Sequence, residues 1–251
     1  MSAHDQPDTD GHEPHDHEPH DHELHDHQGH EHHGHENDQG IRGALRYLRW
    51  LPEMWRSEIN DAIVDLVAPQ RGERVVDIGA GLGAGAMRVA RSGAEVLAVE
   101  PTPFVRRALT MRRFLSRHRA RLDVVDGAAE AIPAPDRSVD AVMAVNTMHH
   151  WIDVERGVAE IARVLRPTGR LLLVDEDFTD PAHPDHERFG GDGHDGGPEH
   201  HGFTMIDAEA VGTLLRAAGL TDVDTSTEQI ERRPVISVAA RGRPVHSEPA
   251  G

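Results

Sequence analysis

A chain of 251 residues is long enough for one large domain and an appendage. Its 44 acidic and 26 basic side chains give a formal charge of -18 with neither lysine nor cysteine, which excludes disulfides, thiolate metal sites and cysteine nucleophiles. No apolar run approaches the roughly 18 residues needed to span a bilayer, and the acidic amino-terminal stretch is unlike a targeting signal, so a cytoplasmic protein with no membrane partner is expected.

The charge is unevenly spread. Residues 1–40 hold twelve of the acids and no arginine, which leaves a mildly acidic body from Ile41 onward. Within that tail His12, His15, His17, His20, His22, His25, His27, His30, His32, His33 and His35 fall into five-residue units of the form His-x-x-His-acid. Pro14 and Pro19 oppose helix, and a stretch so charged and so poor in apolar residues is expected to be disordered until something binds it. Imidazole beside carboxylate suits divalent zinc, nickel, cobalt or copper, so the tail is expected to bind metal ions.

From Ile41 the pattern turns helical. Ile41, Leu45 and Leu48 share one face, and after Pro52 so do Ile59, Ile63, Leu66 and Val67, predicting two cap helices over 41–68. Tyr47, Trp50 and Trp55 lie there, suited to wall a pocket or to pack the helices down. Next, Val75 to Ala90 reads as a short apolar strand, a glycine loop and a helix start; Gly79, Gly81 and Gly83 allow close backbone approach to a ligand at a helix amino terminus.

A regular alternation follows: strand Glu95–Glu100, helix Pro103–His118, strands Leu122–Asp126 and Val139–Asn146, helix Asp153–Leu165, strand Arg170–Asp175 and helix Asp207–Ala218. Apolar runs without strict alternation mark strands buried on both faces, and strands interleaved with helices imply an α/β, doubly wound, mostly parallel sheet. The last two runs, Thr221–Gln229 and Val235–Ala240, are linked too closely for a crossover helix. They should form an antiparallel hairpin, making seven strands in all. The domain is therefore placed at 41–251, behind a tail over 1–40.

The nucleotide is decided outside the glycines. Glu100 ends the second strand, where a carboxylate can accept both ribose hydroxyls of either a dinucleotide or an adenosyl cofactor. Asp77 separates the two, because an acid beside the loop repels a pyrophosphate and favours a cation.

At these residues the chain resembles the class I S-adenosylmethionine-dependent methyltransferases, in their small-molecule branch, whose first motif reads acid-x-Gly-x-Gly-x-Gly, here Asp77 through Gly83. The resemblance covers about 71–220. It continues through Val99-Glu100-Pro101, Gly127 to Pro133, Ser138 to Val142, His149-His150-Trp151 and Ala162 to Leu171. It implies a Rossmann-like fold whose last strand is inserted antiparallel by a hairpin. It further implies that Gly79, Ala80 and Gly81 pass under the cofactor's amino-acid part, that Glu100 holds the ribose, that backbone at Ala128 and Ala129 borders the adenine, and that Asn146 with Thr147 lines the methyl-donor end. Family members often carry an acid where Ala128 stands; recognition of the adenine amino group would then fall to backbone or to Glu130.

Methyl transfer asks mainly for alignment, and a base only where the small-molecule acceptor is protonated. His149 and His150 follow the fourth strand at the carboxyl edge of the sheet and are the base candidates. Residues 178–203, rich in glycine and carrying His183, His186, His194, His200 and His201, are expected to form a lid or flexible loop with some capacity for metal. Seven arginines between Arg106 and Arg121 could suggest nucleic acid, but the acidic body and the lack of interleaved aromatics oppose that and favour a solvated helical face. The enzyme reading stands beside an alternative, a non-catalytic metal-handling or sensor protein whose domain only binds cofactor. Asp77 argues against a nicotinamide enzyme.

Overall fold

Consecutive side chains of the first strand already divide the molecule into two layers. Val75 is buried against the helices on one face, and Val76 against those on the other. The computed structural model describes residues 58–189, 207–230 and 232–243. The tail histidines from His12 to His35, the first cap helix with Tyr47, Trp50 and Trp55, and His194, His200 and His201 lie outside the described residues.

Helix α1 (Glu58–Val67) leads into β1 (Arg74–Ile78), α2 (Ala84–Ser92), β2 (Glu95–Val99), α3 (Pro103–Leu115), β3 (Leu122–Val125) and β4 (Val139–Val145). Then come α4 (Val154–Val164), β5 (Leu165–Glu176), a single turn α5 (His186–Phe189), α6 (Ala208–Ala217), β6 (Thr221–Ile230) and β7 (Arg233–Arg241). The seven strands form one sheet in the order β3-β2-β1-β4-β5-β7-β6. The pairs from β3 to β5 are parallel, whereas β7 runs antiparallel to both β5 and β6, as the short link between the last two runs requires.

Two apolar cores result. One gathers Val76, Val99, Val142 and Leu173 under α4 and α6, with Ile161, Val164 and Leu215; the other gathers Val75, Ala98, Met143 and Val174 under α1, α2 and α3, with Ile63, Val89 and Leu109. Each such side chain contributes about 1.5–3 kcal/mol when fully buried, so coverage on both faces holds the strands flat between helices. Capping is local: Asp153 accepts from the Arg156 amide ahead of α4, and Asp207 from Glu209 and Ala210 ahead of α6.

Three boundaries differ from expectation. In α1, Ile59, Ile63 and Val67 face the core as predicted, but Leu66 is 60% exposed and Val64 takes the buried place. Helix α3 stops at Leu115, before a 3-10 turn over Arg119–Arg121, so the arginines do not share one helical face. Several of them are tethers: Arg106 donates to the Glu100 and Pro101 carbonyls, Arg112 to Leu82 and Arg113 to Leu122. Finally, β5 begins at Leu165, paired with Val139, and an irregularity precedes the Ala141–Arg170 pair. No helix among the described residues is long and apolar enough to cross a membrane.

Candidate cofactor and active site

The carboxyl ends of β1, β2, β4 and β5 share one edge of the sheet, and the loops leaving them carry most of the candidate residues. In the first loop Gly79, Gly81 and Gly83 have φ of 64°, 53° and 76°, left-handed values that glycine adopts without strain. The turn closes through the Ala80 amide on the Val99 carbonyl at 3.0 Å and the Gly83 amide on the Ala80 carbonyl at 2.7 Å. A Cβ on Gly79 would lie 2.5 Å from Thr147 Cγ2. The neighbouring loop therefore demands glycine here independently of any ligand.

Glu100 is 5% exposed, and its two oxygens accept the Gly81 amide at 2.8 Å and the Thr102 amide at 2.9 Å. A carboxylate oxygen has two lone pairs, so each retains acceptor capacity beyond its amide bond. Asp77 is 4% exposed and packs against the first turn of α2, where a Cβ on Gly85 would lie 3.4 Å from its Oδ2. Burial pushes its carboxyl up to about 7; the Ala86 amide opposes the shift, and the charge of Glu100 adds to it. Asp77 thus sits inside the loop, held against a helix start, rather than reaching out at the strand's mouth. Neither carboxylate is paired with a cationic side chain among the described residues; buried Asp77 is held partly protonated near neutral pH, so it becomes fully anionic only where a cation offsets its burial.

At the third strand, the Ala129 methyl is buried in the core, so only its backbone can face a ligand. Ala128, half-buried, makes a bridge to Ala131. Glu130 turns elsewhere: Oε1 accepts the Ile152 amide at 2.7 Å and the Asp153 amide at 3.1 Å, at the start of α4. Glu130 thus has one oxygen committed to the start of α4.

Asn146 adopts φ 52°, a left-handed conformation that asparagine tolerates, and clasps β4 to β5. Its Nδ2 donates to Glu176 Oε1 at 2.6 Å, and its Oδ1 accepts the Glu176 amide at 2.9 Å. Beyond it, His149 Nδ1 is hydrogen-bonded to Asp175 Oδ1 at 2.6 Å, while Asp175 Oδ2 accepts the Met148 amide at 3.1 Å. Burial holds the Asp175 carboxyl above its ordinary range, with the His149 bond opposing. His150 is exposed and lies beside His149, the ring centres 4.0 Å apart. Trp151 packs over Gly157, where a Cβ would lie 2.8 Å from its ring, as part of the core rim.

Asp175 escaped the sequence reading. Its one signal is an acid directly after the apolar run Leu171 to Val174. The next residue, Glu176, points to the opposite face of the sheet. Its Oε2 accepts from His183 Nε2 at 2.8 Å and from Arg233 Nη1 at 2.6 Å. His183 Nδ1 in turn accepts the Asp185 amide at 3.0 Å, so both ring nitrogens of this buried side chain are engaged. His183 is therefore a structural anchor, which corrects its place among the metal candidates. Among the described residues no group of three or more His, Asp or Glu is arranged to hold a metal ion. A cavity of about 230 Å³ lies at the other edge of the sheet, beside Arg163. There all five guanidinium donors of Arg163 are taken by Glu160, Asp136 and the carbonyls of Ile132 and Ala134.

This strand order, with an inserted antiparallel β7, a glycine loop after β1 and an acid ending β2, is the Rossmann-like methyltransferase fold. Residues 76–173 match the family described as a methyltransferase domain. The chain is 43% identical over 111 residues to an uncharacterized methyltransferase of Mycobacterium tuberculosis, covering 44% of this chain and 43% of that one. It is 32% identical over 132 residues to the demethylmenaquinone methyltransferase of Clavibacter sepedonicus, covering 53% and 50%. It therefore spans half or less of the length of these curated relatives. Among solved structures, a SAM-dependent methyltransferase from Aquifex aeolicus superposes with a TM-score of 0.58 at 17% identity, covering 80% of this chain and 98% of that one, a likeness of fold.

Proposed function

We propose that this protein transfers a methyl group from S-adenosylmethionine to a small-molecule acceptor. The observation that carries the reading is the pair of buried carboxylates, Asp77 and Glu100, beneath a left-handed glycine loop with no cationic side chain paired to either. Glu100, and an Asp77 that a neighbouring cation would help to ionise, suit a cofactor bearing an ammonium and a sulfonium and oppose a pyrophosphate. Glu100 would accept the ribose hydroxyls with the lone pairs its amide partners leave, and the backbone of Gly79 to Gly81 would face the amino-acid part. Bound there, the cofactor supplies an already activated methyl carbon, so the protein's work is alignment.

For a protonated acceptor, His149 is the better base of the two candidates. Its Nδ1 proton is committed to Asp175, which directs the basic lone pair to Nε2. Nε2 takes the acceptor's proton, and Asp175 stabilises the resulting imidazolium. The His-x-x-His-acid repeats of residues 12–36 are assigned to divalent ions such as nickel, zinc or cobalt, on ligand density alone.

Calorimetry with S-adenosylmethionine and with a nicotinamide dinucleotide tests the cofactor reading. The first should bind and the second should not. Glu100→Ala should weaken binding about hundredfold, the value of two hydrogen bonds to a charged acceptor. Tight dinucleotide binding would overturn the reading, and so would no loss in the variant. Release of S-adenosylhomocysteine across a small-molecule panel then separates an enzyme from a cofactor sensor.

A further inference from the structure

Helix α3 carries a face that neither the core nor the glycine loop uses. Val105 and Leu109 are buried, but Met111, Phe114 and Leu115 are 62%, 69% and 77% exposed. Spacings of three and four residues set these three side by side. Exposed Arg107 extends the same face by one turn, and exposed Arg117 and Arg119 lie just past the helix end. Behind them, Arg91 and Arg121 join Arg117 around His118, whose pKa is lowered first by desolvation and then by these three cations. Asp123 pairs with Arg113 at 3.6 Å and Asp126 with Arg106 at 3.0 Å, two carboxylates against the seven arginines between 106 and 121.

We propose that this corner docks the protein on an anionic bilayer surface, with Met111, Phe114 and Leu115 entering the acyl boundary and the surrounding arginines holding lipid phosphates. A short apolar stripe ringed by arginine is the composition of a helix that lies in a membrane interface, and the guanidinium fork matches phosphate geometry. Even with Phe104, 41% exposed at the start of the same stripe, four side chains are too few for a stable protein interface, which takes about 800 Å² from each partner. The two exposed aromatics of α3, Phe104 and Phe114, stand ten residues or about 15 Å apart along the helix, too far to stack a run of bases. The whole-chain charge of -18 opposes an anionic surface, so attachment is local and falls steeply with salt. The expectation of a merely solvated arginine face is replaced, on this reading, by a peripheral membrane contact.

Sedimentation of the full chain with vesicles of phosphatidylglycerol and phosphatidylcholine, against phosphatidylcholine alone, tests the proposal. Wild type should pellet preferentially with the anionic vesicles. Binding should fall about tenfold or more in F114S/L115S, which removes the inserted side chains, and about thirtyfold in R117Q/R119Q, which removes two surface cations. All four positions are exposed, so both variants should keep the wild-type thermal midpoint. Equal recovery on the two vesicle types overturns the proposal. So does unchanged binding of either double variant, preferential capture by single-stranded RNA offered in competition, or a dimer that both double variants abolish.

Discussion

Two histidine–carboxylate pairs sit on consecutive residues of β5 and face opposite sides of the sheet. In His149–Asp175 the acid bonds Nδ1, which places the ring's lone pair on Nε2. In His183–Glu176 the acid bonds Nε2, a backbone amide fills Nδ1, and a guanidinium shares the carboxylate. In the second pair both ring nitrogens are bonded within the protein. That pair fastens the chain leaving β5, whereas the first ties the loop after β4 to β5 through the Nδ1 edge of its ring.

The largest effect should come from substituting the two histidines in parallel. If the first pair moves a proton, His149→Gln lowers kcat by about 10²- to 10⁴-fold while leaving cofactor affinity near wild type. His183→Gln should leave kcat within about threefold, and should lower unfolding free energy by about 1–3 kcal/mol through its orphaned partners. Steady-state release of S-adenosylhomocysteine and urea unfolding read the two effects separately. Equal rate losses would erase the distinction.

Glu176→Gln sharpens the structural side of the contrast. It keeps the shape but removes the charge shared by Arg233 and His183, and should cost about 2 kcal/mol. That is less than the roughly 3–5 kcal/mol for breaking a fully buried pair, because Arg233 reaches solvent. The urea midpoint should fall, and the pH profile of kcat should stay unchanged.

Asp77 is the same comparison with the base removed altogether. Its folded value of about 7 lies above the unfolded 3.8. Between them the folded protein holds a proton that the unfolded chain gives up. This group's contribution is therefore most favourable below the unfolded value and is lost as pH rises through the folded one. Between about pH 5 and about pH 8, Asp77→Asn should gain on the order of 2 kcal/mol relative to wild type, seen as a smaller fall in the urea midpoint. Bound S-adenosylmethionine should flatten the wild-type slope, since its cationic groups favour the ionised carboxylate.

Much of this molecule is legible in one dimension, because most of its strands are apolar runs that alternate regularly with helices. The closing hairpin follows from the length of one link, and the acidity under the glycine loop from Asp77 and Glu100. What stayed hidden depends on register across the sheet. Asp175 meets His149 from 26 positions away, with α4 and most of β5 between them. The clasp that Asn146 makes, beside its expected place at the methyl-donor end, was hidden for the same reason: its partner Glu176 is set by the β4–β5 pairing. Leu66 looked buried because helical spacing gives the width of an apolar stripe but not where the sheet beneath it ends.

The insertion of β7 between β5 and β6 also sets the order in which the molecule can be completed. Until residues 233–241 have been synthesised, β5 has a partner on one side only, and its run from Leu171 to Val174 is an open edge. Such an edge is a template for pairing with other chains. A ribosome paused in the last crossover would hold a nearly finished sheet in its most adhesive form, and the final hairpin would act as the step that seals it.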